Sequence, residues 1–215
     1  MTEKERFNIT FLRHGESVGN AESRWQGQAN YPLTDKGRQQ AQALATRWLD
    51  EKRIFDWIVT SPLSRACETA EIIGATLNVP VETDPVWMER NIGQVEGLTA
   101  EEVNQRYPDR GFITPFSAIL GNEGEGDWEL YLRGGQALQG LLRRAPGRYL
   151  VVSHGGMLNQ VMYAIIGVTP QANFSGPRFR FNNTGFAHVI YQPESHRWQI
   201  DTVNDHAHWN GKDSD

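Results

Sequence analysis

Two short apolar runs in this chain end in the same way. Residues 9–12 lead into Arg13 and His14, and residues 149–152 lead into a serine and His154. Each run is apolar and contains β-branched residues, and each His is followed by glycine, which predicts a buried strand that ends in a loop. Ligands of an open parallel sheet bind beyond the carboxyl ends of its strands. If the two strands are neighbours, both imidazoles and Arg13 lie in one crevice.

Between these runs, the apolar positions alternate between strand and helix spacing. Residues 15–32 are interrupted by glycine, asparagine and proline, which indicates a loop. Thr34 is a suitable N-cap for a helix. The apolar face of this helix comprises Ala41, Leu44, Ala45, Trp48 and Leu49. Residues 57–60 predict a second strand, and Ser61 with Pro62 predicts the start of the next helix. The inner face of that helix comprises Ala66, Thr69, Ala70, Ile73 and Leu77.

The second half of the chain continues the alternation. We expect a short strand at 79–81, a short helix from the capping box of Thr99 and Glu102, and helices at 128–144 and after His154. The last helix carries Leu158, Val161, Met162, Ile165 and Ile166 on its apolar face. Residues 185–191 and 198–203 predict two closing strands. Strands alternating with helices predict a three-layer α/β/α sandwich around a largely parallel, mixed sheet.

The composition fits one soluble globular domain. At 215 residues, with 39% hydrophobic and 22% charged residues, the chain can bury a core of its own. We expect a single domain over residues 1–215, with a flap-like insertion at about 107–127 and a frayed tail at 210–215. The net charge of −5 and the lack of basic runs argue against nucleic-acid and membrane partners.

The single cysteine, Cys67, allows no intrachain disulfide, which favours a reducing compartment. The charged N-terminal residues do not resemble a secretory signal, and no apolar run approaches the roughly 20 residues that span a bilayer. We therefore expect a cytoplasmic protein. Its oligomeric state is left open.

The residues at the predicted crevice suit phosphoryl transfer. Such a reaction needs a nucleophile, positive groups on the phosphoryl oxygens and an acid for the leaving oxygen. A neutral His14 can attack, and Arg13 and Arg65 can hold the oxygens, Arg65 from the first turn of a helix. His154 adds a donor, and Glu89 is the available carboxyl group. This set requires no metal, and we expect no cofactor.

Four ordered blocks of sequence resemble the histidine phosphatase superfamily, in its phosphoglycerate-mutase-like branch. The resemblance covers nearly the whole chain. The four blocks are residues 12–17 with Asn20, residues 61–66 with 68–70, residues 89–97 and residues 151–156. Further matching residues near the end of the chain are Asn182, Asn183, Thr184, Asn204 and His208. One departure is Glu125-Gly126, where the family often has Glu-Ser, which removes a hydroxyl group from the insertion.

The resemblance implies a phosphatase that works through a phosphohistidine. His14 would take the phosphoryl group, clamped by Arg13, Arg65 and His154. Glu89 would protonate the leaving group and then deprotonate the water that hydrolyses the intermediate. Residues implied to contact phosphate or substrate are Asn20, Gln26, Gly27 and Gly155. We expect the substrate to be a small phosphorylated metabolite.

Three alternatives stay open. The first is a cofactor-dependent phosphoglycerate mutase, the second a phosphoprotein phosphatase, and the third a non-catalytic phosphate-binding module. Family mutases carry basic residues in a longer insertion, whereas the insertion here is mostly acidic, which disfavours phosphoglycerate and highly phosphorylated substrates. Its acidic residues are Asp109, Glu123, Glu125, Asp127 and Glu129, against Arg110 and Arg133.

Two other motifs support competing readings only weakly. Residues 15–19 fit the serine-hydrolase nucleophile pattern, but a broken loop is expected after them instead of a helix. His206 and His208 are spaced as a metal pair could be, but no cysteine or carboxylate cluster supports them.

Overall fold

The fold is built around a six-stranded sheet. The computed structural model describes residues 5–109, 111–118, 120 and 123–209. The strands run in the spatial order β3-β2-β4-β1-β5-β6. Their bounds are β1 Phe7–Arg13, β2 Trp57–Thr60, β3 Val81–Thr83, β4 Arg148–Ser153, β5 Phe186–Gln192 and β6 Arg197–Asp205.

The strand directions confirm the mixed, largely parallel sheet. Strands β3, β2, β4 and β1 pair in parallel. At the other edge of the sheet, β5 pairs antiparallel with β1, and β6 pairs antiparallel with β5. The register places Arg13 opposite Ser153 on adjacent strands. The two chain segments that end in His-Gly are therefore neighbours, which is the condition for both histidines to lie in one crevice.

Helices cover both faces of the sheet, which confirms the three-layer sandwich. The helices are α1 Val18–Ala21, α2 Asp35–Asp50, α3 Ser64–Leu77, α4 Ala100–Arg106, α5 Asp127–Leu142 and α6 Gly155–Ile166. Side chains of α2 and α3 share one apolar cluster with Leu12 and Leu150 of the sheet. Side chains of α5 and α6 share the other cluster with Phe11 and Val151. Alternate residues of each central strand thus face opposite layers.

Local sequence signals explain where two helices begin. The hydroxyl of Thr34 accepts the backbone N–H of Gly37 at 3.0 Å and caps α2. Thr99 and Glu102 form the expected capping box at the start of α4.

Two predicted boundaries are wrong. Helix α3 begins at Ser64 and not after Ser61, because the Ser61 hydroxyl is bonded to His154 and to the N–H of Leu63. The loop at 15–32 contains the four-residue helix α1, since Ser17 and Asn20 form a capping box that the glycine content hides.

Smaller differences concern the burial of two helix residues and the start of one strand. Leu49 is 54% exposed and Ile166 is 41% exposed, because each lies at the end of its helix, beyond the sheet contact. Strand β3 begins at Val81, two residues later than expected.

The insertion packs on the body of the molecule through Leu120, which joins Ile92, Val95 and Val103 in a small apolar cluster. Its residues 110, 119, 121 and 122, like the tail at 210–215, lie outside the described residues. Within the described part of the chain, no helix is long and apolar enough to cross a bilayer.

Candidate active site

A cavity of about 580 Å³ opens at the carboxyl ends of β1 and β4. Seven of the nine residues proposed from sequence line it: Arg13, His14, Gln26, Gly27, Arg65, Glu89 and Gly155. His154 contacts the ring of His14 but does not line the cavity, and neither does Asn20. The crevice inferred from the two strand ends is therefore present.

His14 is held in one tautomer at the end of β1. Its Nδ1 lies 2.7 Å from the carbonyl oxygen of Gly15, which can only accept a hydrogen bond, so Nδ1 is the donor. Nε2 of the neutral ring is then left with its lone pair. Burial, together with the charges of Arg65 and Arg13, holds the pKa of His14 well below its usual value of 6.5. The ring is therefore neutral at neutral pH, and its Nε2 has a lone pair that can act as a nucleophile.

His154 packs against the His14 ring from the start of α6. The centroids of the two rings are 5.1 Å apart, and His154 is fully buried. Its Nε2 lies 2.8 Å from the hydroxyl of Ser61, whereas its Nδ1 has no hydrogen-bond partner among the described residues. Burial is the main cause that lowers the pKa of His154, with Arg65, His14 and Arg13 adding to it.

Two arginines supply positive charge on either side of His14. Arg65, in the first turn of α3, is 1% exposed and donates to the carbonyls of Gly27 at 2.7 Å and Ala29 at 2.8 Å. Its Nε is without a partner among the residues described. Burial lowers the pKa of Arg65 to about 10, so the group stays charged at neutral pH. Arg13 donates to the carbonyl of Phe181 at 2.7 Å.

The carboxylate of Glu89 is held by backbone N–H groups. It accepts from Gly156 at 2.9 Å and Met157 at 3.0 Å in the first turn of α6, and from Arg90 at 2.8 Å. A Cβ atom on Gly156 would lie 2.4 Å from Glu89 Oε1. The missing side chain at this position lets the carboxylate reach the helix N-terminus, where the N–H groups point outward.

The remaining predicted residues differ in their surroundings. Gln26 accepts the Ser17 hydroxyl at 2.7 Å, and Gly27 has a φ of +50°, which favours glycine. The side-chain oxygen of Asn20 accepts from Ser17 and from Asn183. Asn20 therefore shapes the loop after β1, and the structure gives it no place on the cavity wall.

Three supporting residues escaped the reasoning from sequence. Ser61 was interpreted as a helix cap but contacts His154. The amide of Asn183 donates to the carbonyl of His14 at 3.1 Å, and the resemblance named it without giving it a role. Asp127 lines the cavity as the ion-pair partner of Arg90, 37 positions earlier in the chain. A pairing across that distance leaves no local signal in the sequence.

The acidic insertion does not give the cavity a negative wall. Of its described acidic residues, only Asp127 lines the cavity, and Arg90 neutralises it. Glu125 forms an ion pair with Arg133 at 2.6 Å. The charge argument against phosphoglycerate and highly phosphorylated substrates therefore loses its basis. Arg178 and Arg180, which the sequence reasoning passed over, line the cavity instead.

No group of three or more histidine, cysteine, aspartate or glutamate residues suited to a metal ion occurs in the described ranges. His206 is hydrogen-bonded to Asn182, and His208 lies 2.9 Å from the hydroxyl of Thr184. Both imidazoles thus brace the turn that carries Asn183.

Comparisons with known proteins agree with this geometry. Residues 9–206 match the histidine phosphatase superfamily (branch 1). The chain is 34% identical to the "Probable phosphoglycerate mutase GpmB" of Escherichia fergusonii, over 93% of this chain and 94% of that protein. It is 31% identical to the "Uncharacterized phosphatase PhoE" of Bacillus subtilis, over 94% and 97%. The solved structure of YhfR from Bacillus stearothermophilus superimposes with a TM-score of 0.81 at 30% identity, over 94% and 98% of the two chains.

The chain belongs to the histidine phosphatase superfamily, branch 1. It is an enzyme of the group that contains phosphatases and proteins named as phosphoglycerate mutases.

Proposed function

We propose that this protein is a metal-free phosphomonoesterase that acts on a small phosphorylated metabolite through a phosphohistidine at His14. One observation carries the proposal: a buried imidazole, held in the nucleophilic tautomer by Gly15, shares a cavity with Arg13, Arg65 and the carboxyl group of Glu89. These are the nucleophile, the charge-stabilising groups and the acid that phosphoryl transfer needs.

In the first step, Nε2 of His14 attacks phosphorus and the bond from phosphorus to the ester oxygen breaks. The protonated carboxyl group of Glu89 gives its proton to the departing oxygen, so the alcohol leaves neutral. Arg13 and Arg65 hold the equatorial oxygens, on which the negative charge is spread. Nδ1 of His154 has no partner among the residues that the structure describes, and in the proposed mechanism it donates to a phosphoryl oxygen once the adjacent His14 carries the group.

In the second step, water attacks the phosphohistidine. The Glu89 carboxylate takes a proton from the water as the new oxygen–phosphorus bond forms. The phosphorus–nitrogen bond breaks, and its electron pair returns to Nε2 of His14. The products are inorganic phosphate and the starting form of the enzyme, with Glu89 protonated again for the next cycle.

Rapid-quench trapping with a 32P-labelled aryl phosphate tests the nucleophile. We expect an acid-labile, alkali-stable adduct in the wild type, free phosphate at later times and neither in His14→Ala. His196→Ala, on the exposed turn after β5, is the matched control and should retain both signals. Turnover without an adduct, or an adduct that persists in His14→Ala, would contradict the mechanism.

Substrates with different leaving groups test the role of Glu89. An alkoxide needs protonation, whereas p-nitrophenolate leaves without it. We therefore expect Glu89→Gln to lower kcat for an alkyl phosphate at least about 100-fold, and for p-nitrophenyl phosphate much less. Equal losses with both substrates would remove Glu89 from the acid role. Glu129→Gln, at an exposed position of α5, is the control.

A mutase is the second candidate, because Arg178 and Arg180 give the cavity the positive wall that an acidic substrate needs. In a mutase, the phosphohistidine returns its phosphoryl group to a second hydroxyl of the substrate instead of water. Two assays distinguish the phosphatase from the mutase. One measures phosphate release, and the other measures phosphoglycerate isomerisation primed with bisphosphoglycerate. Isomerisation that outpaces phosphate release would favour the mutase.

A further inference from the structure

The side chain of Arg133, in α5, holds the chain segment that carries Glu89. Its Nη1 donates to the carbonyl of Val86 at 3.0 Å and to the carbonyl of Met88 at 2.6 Å. Its Nη2 donates to the backbone carbonyl of Glu89 at 3.0 Å. One guanidinium group thus fixes the backbone at Glu89 and at the residues before it, so a shift of this group displaces the segment.

The guanidinium group of Arg133 is itself fixed by Glu125, near the end of the insertion. Its Nε donates to Oε1 of Glu125 at 2.7 Å, and its Nη2 donates to Oε2 at 2.6 Å. With the bonds to the three carbonyls, Arg133 makes five hydrogen bonds to oxygen, which matches the five N–H groups of a guanidinium group. The two side chains are only 17% and 21% exposed, so solvent screens this ion pair less than a surface pair.

Glu125 also contacts the segment directly. Its Oε2 accepts the N–H of Asn91 at 2.8 Å, and its own N–H donates to the carbonyl of Asn91 at 2.7 Å. The backbone on both sides of Glu89 is therefore bonded to the pair of Glu125 and Arg133. The insertion, through Glu125, is in this way connected to the carboxyl group at the cavity.

The side chain of Glu89 has a second anchor at the N-terminus of α6. Its carboxylate accepts the N–H groups of Gly156 and Met157. The first N–H groups of a helix have no acceptor within that helix, and the carboxylate serves them as one. The position of the carboxyl group thus depends on two supports, which are Arg133 at the backbone and α6 at the side chain.

Resting on the proposed function, we infer that Arg133 and Glu125 are positioning residues for the acid–base group of Glu89. Among the described residues, these two are not part of the cavity lining, so they act through the backbone of residues 86–91. A proton donor is effective only within hydrogen-bond reach of the leaving oxygen. A small displacement of the segment therefore removes much of the contribution of Glu89.

Leaving groups of different basicity separate this role from a general structural one. We expect Arg133→Met to lower kcat/KM at least about tenfold for an alkyl phosphate and less than about threefold for p-nitrophenyl phosphate, whose leaving group needs no protonation. A loss of folded protein would lower both values equally. Arg133→Lys should resemble Arg133→Met, because an ammonium group cannot reproduce the fork. The matched control is Arg144→Met, which removes an ion pair with Glu82 beyond the other end of α5 and should change neither value.

A double-mutant cycle tests whether Arg133 acts through Glu89. In the Glu89→Gln background, adding Arg133→Met should lower kcat/KM for the alkyl phosphate less than about twofold, whereas independent effects would multiply. Glu125→Gln is a milder change in the same network. It should show the same dependence on the leaving group with a loss of about threefold, and it carries the test if Arg133→Met does not fold. Equal losses with both substrates, or effects that multiply, would overturn the inference.

Amide hydrogen exchange separates the inference from the proposed function, because it requires no turnover. In Arg133→Met, the N–H groups of Gly156 and Met157 should exchange at least about tenfold faster than in the wild type. The N–H of Leu158 donates to the carbonyl of His154, and its exchange should not change. Faster exchange in a protein whose wild type has no phosphatase activity would support the positioning role and refute the phosphatase. Phosphatase activity with unchanged exchange would support the phosphatase and refute the positioning role.

Discussion

Nε2 of His154 lies 2.8 Å from the hydroxyl oxygen of Ser61, and both residues are fully buried. The Ser61 hydroxyl accepts the N–H of Leu63, and within the described part of the chain Nε2 of His154 is the only side-chain acceptor bonded to it, so the Ser61 proton is donated to His154. This arrangement places the proton of the neutral His154 ring on Nδ1. Ser61 therefore determines which nitrogen of the His154 ring carries the proton, and in the proposed mechanism this nitrogen donates toward the phosphoryl group on His14.

Replacing Ser61 tests this relationship. Ser61→Ala leaves a buried ring nitrogen without its partner, which costs about 1–3 kcal/mol of unfolding free energy. We also expect kcat to fall about tenfold, because His154 loses its preferred tautomer. Denaturant unfolding and steady-state kinetics measure the two effects. Ser195→Ala, at an exposed turn, should change neither. If Ser61→Ala retains wild-type kcat, the hydroxyl does not control the tautomer.

Two adjacent glycines at the start of α6 should respond differently to the same change. In Gly156→Ala, the new Cβ would lie 2.4 Å from Glu89 Oε1, so the carboxylate must move. In Gly155→Ala, the Cβ meets only Arg13 at 3.8 Å, an ordinary contact. We expect kcat for an alkyl phosphate to fall at least about tenfold in Gly156→Ala and less than about threefold in Gly155→Ala. Equal effects would show that the position of Glu89 does not depend on Gly156.

Replacing Arg65 with lysine should lower the activity. Its guanidinium group donates to two carbonyls of the loop at 27–29 and keeps Nε for a further acceptor. A lysine ammonium group cannot reproduce this fork. We expect Arg65→Lys to lower kcat/KM about 100-fold. Arg106→Lys, at the exposed end of α4, is the control. Activity within about threefold of wild type would mean that charge alone is sufficient at this position.

The loss of activity on the acid side of the pH profile should be centred below pH 6.5. The reactive form of His14 is neutral, and its pKa is lowered by burial, Arg65 and Arg13. A lowered pKa keeps the ring neutral as pH falls through 6.5, so protonation of His14 should not reduce activity there. We expect kcat/KM, corrected for the second ionisation of the phosphate ester, to show no loss centred at pH 6.5. NMR titration of the ring provides a direct check, and an inflection at 6.5 in both measurements would contradict the argument.

Much of the fold followed from local pattern. The strands at 57–60 and 149–152 and the capped helices α2 and α4 depend on side-chain periodicity and on caps within a few residues. The start of α3 did not follow, because Ser61 bonds to His154, 93 positions away. A serine followed by proline carries the same local signal whether its hydroxyl caps a helix or is hydrogen-bonded to a buried imidazole.

The sequence alone determined the strands that end at the cavity and the candidate groups proposed to react there, since both are encoded in short contiguous segments such as residues 9–16. Only the tertiary structure decided the charge of the cavity. The acidic insertion was expected to disfavour phosphoglycerate and highly phosphorylated substrates. However, Arg90 neutralises Asp127, and Arg133 neutralises Glu125. Arg178 and Arg180, far along the chain from His14, line the same cavity. Electrostatic interaction depends on distance in space, and the pairing of charges is set by the packing of segments that are remote in sequence.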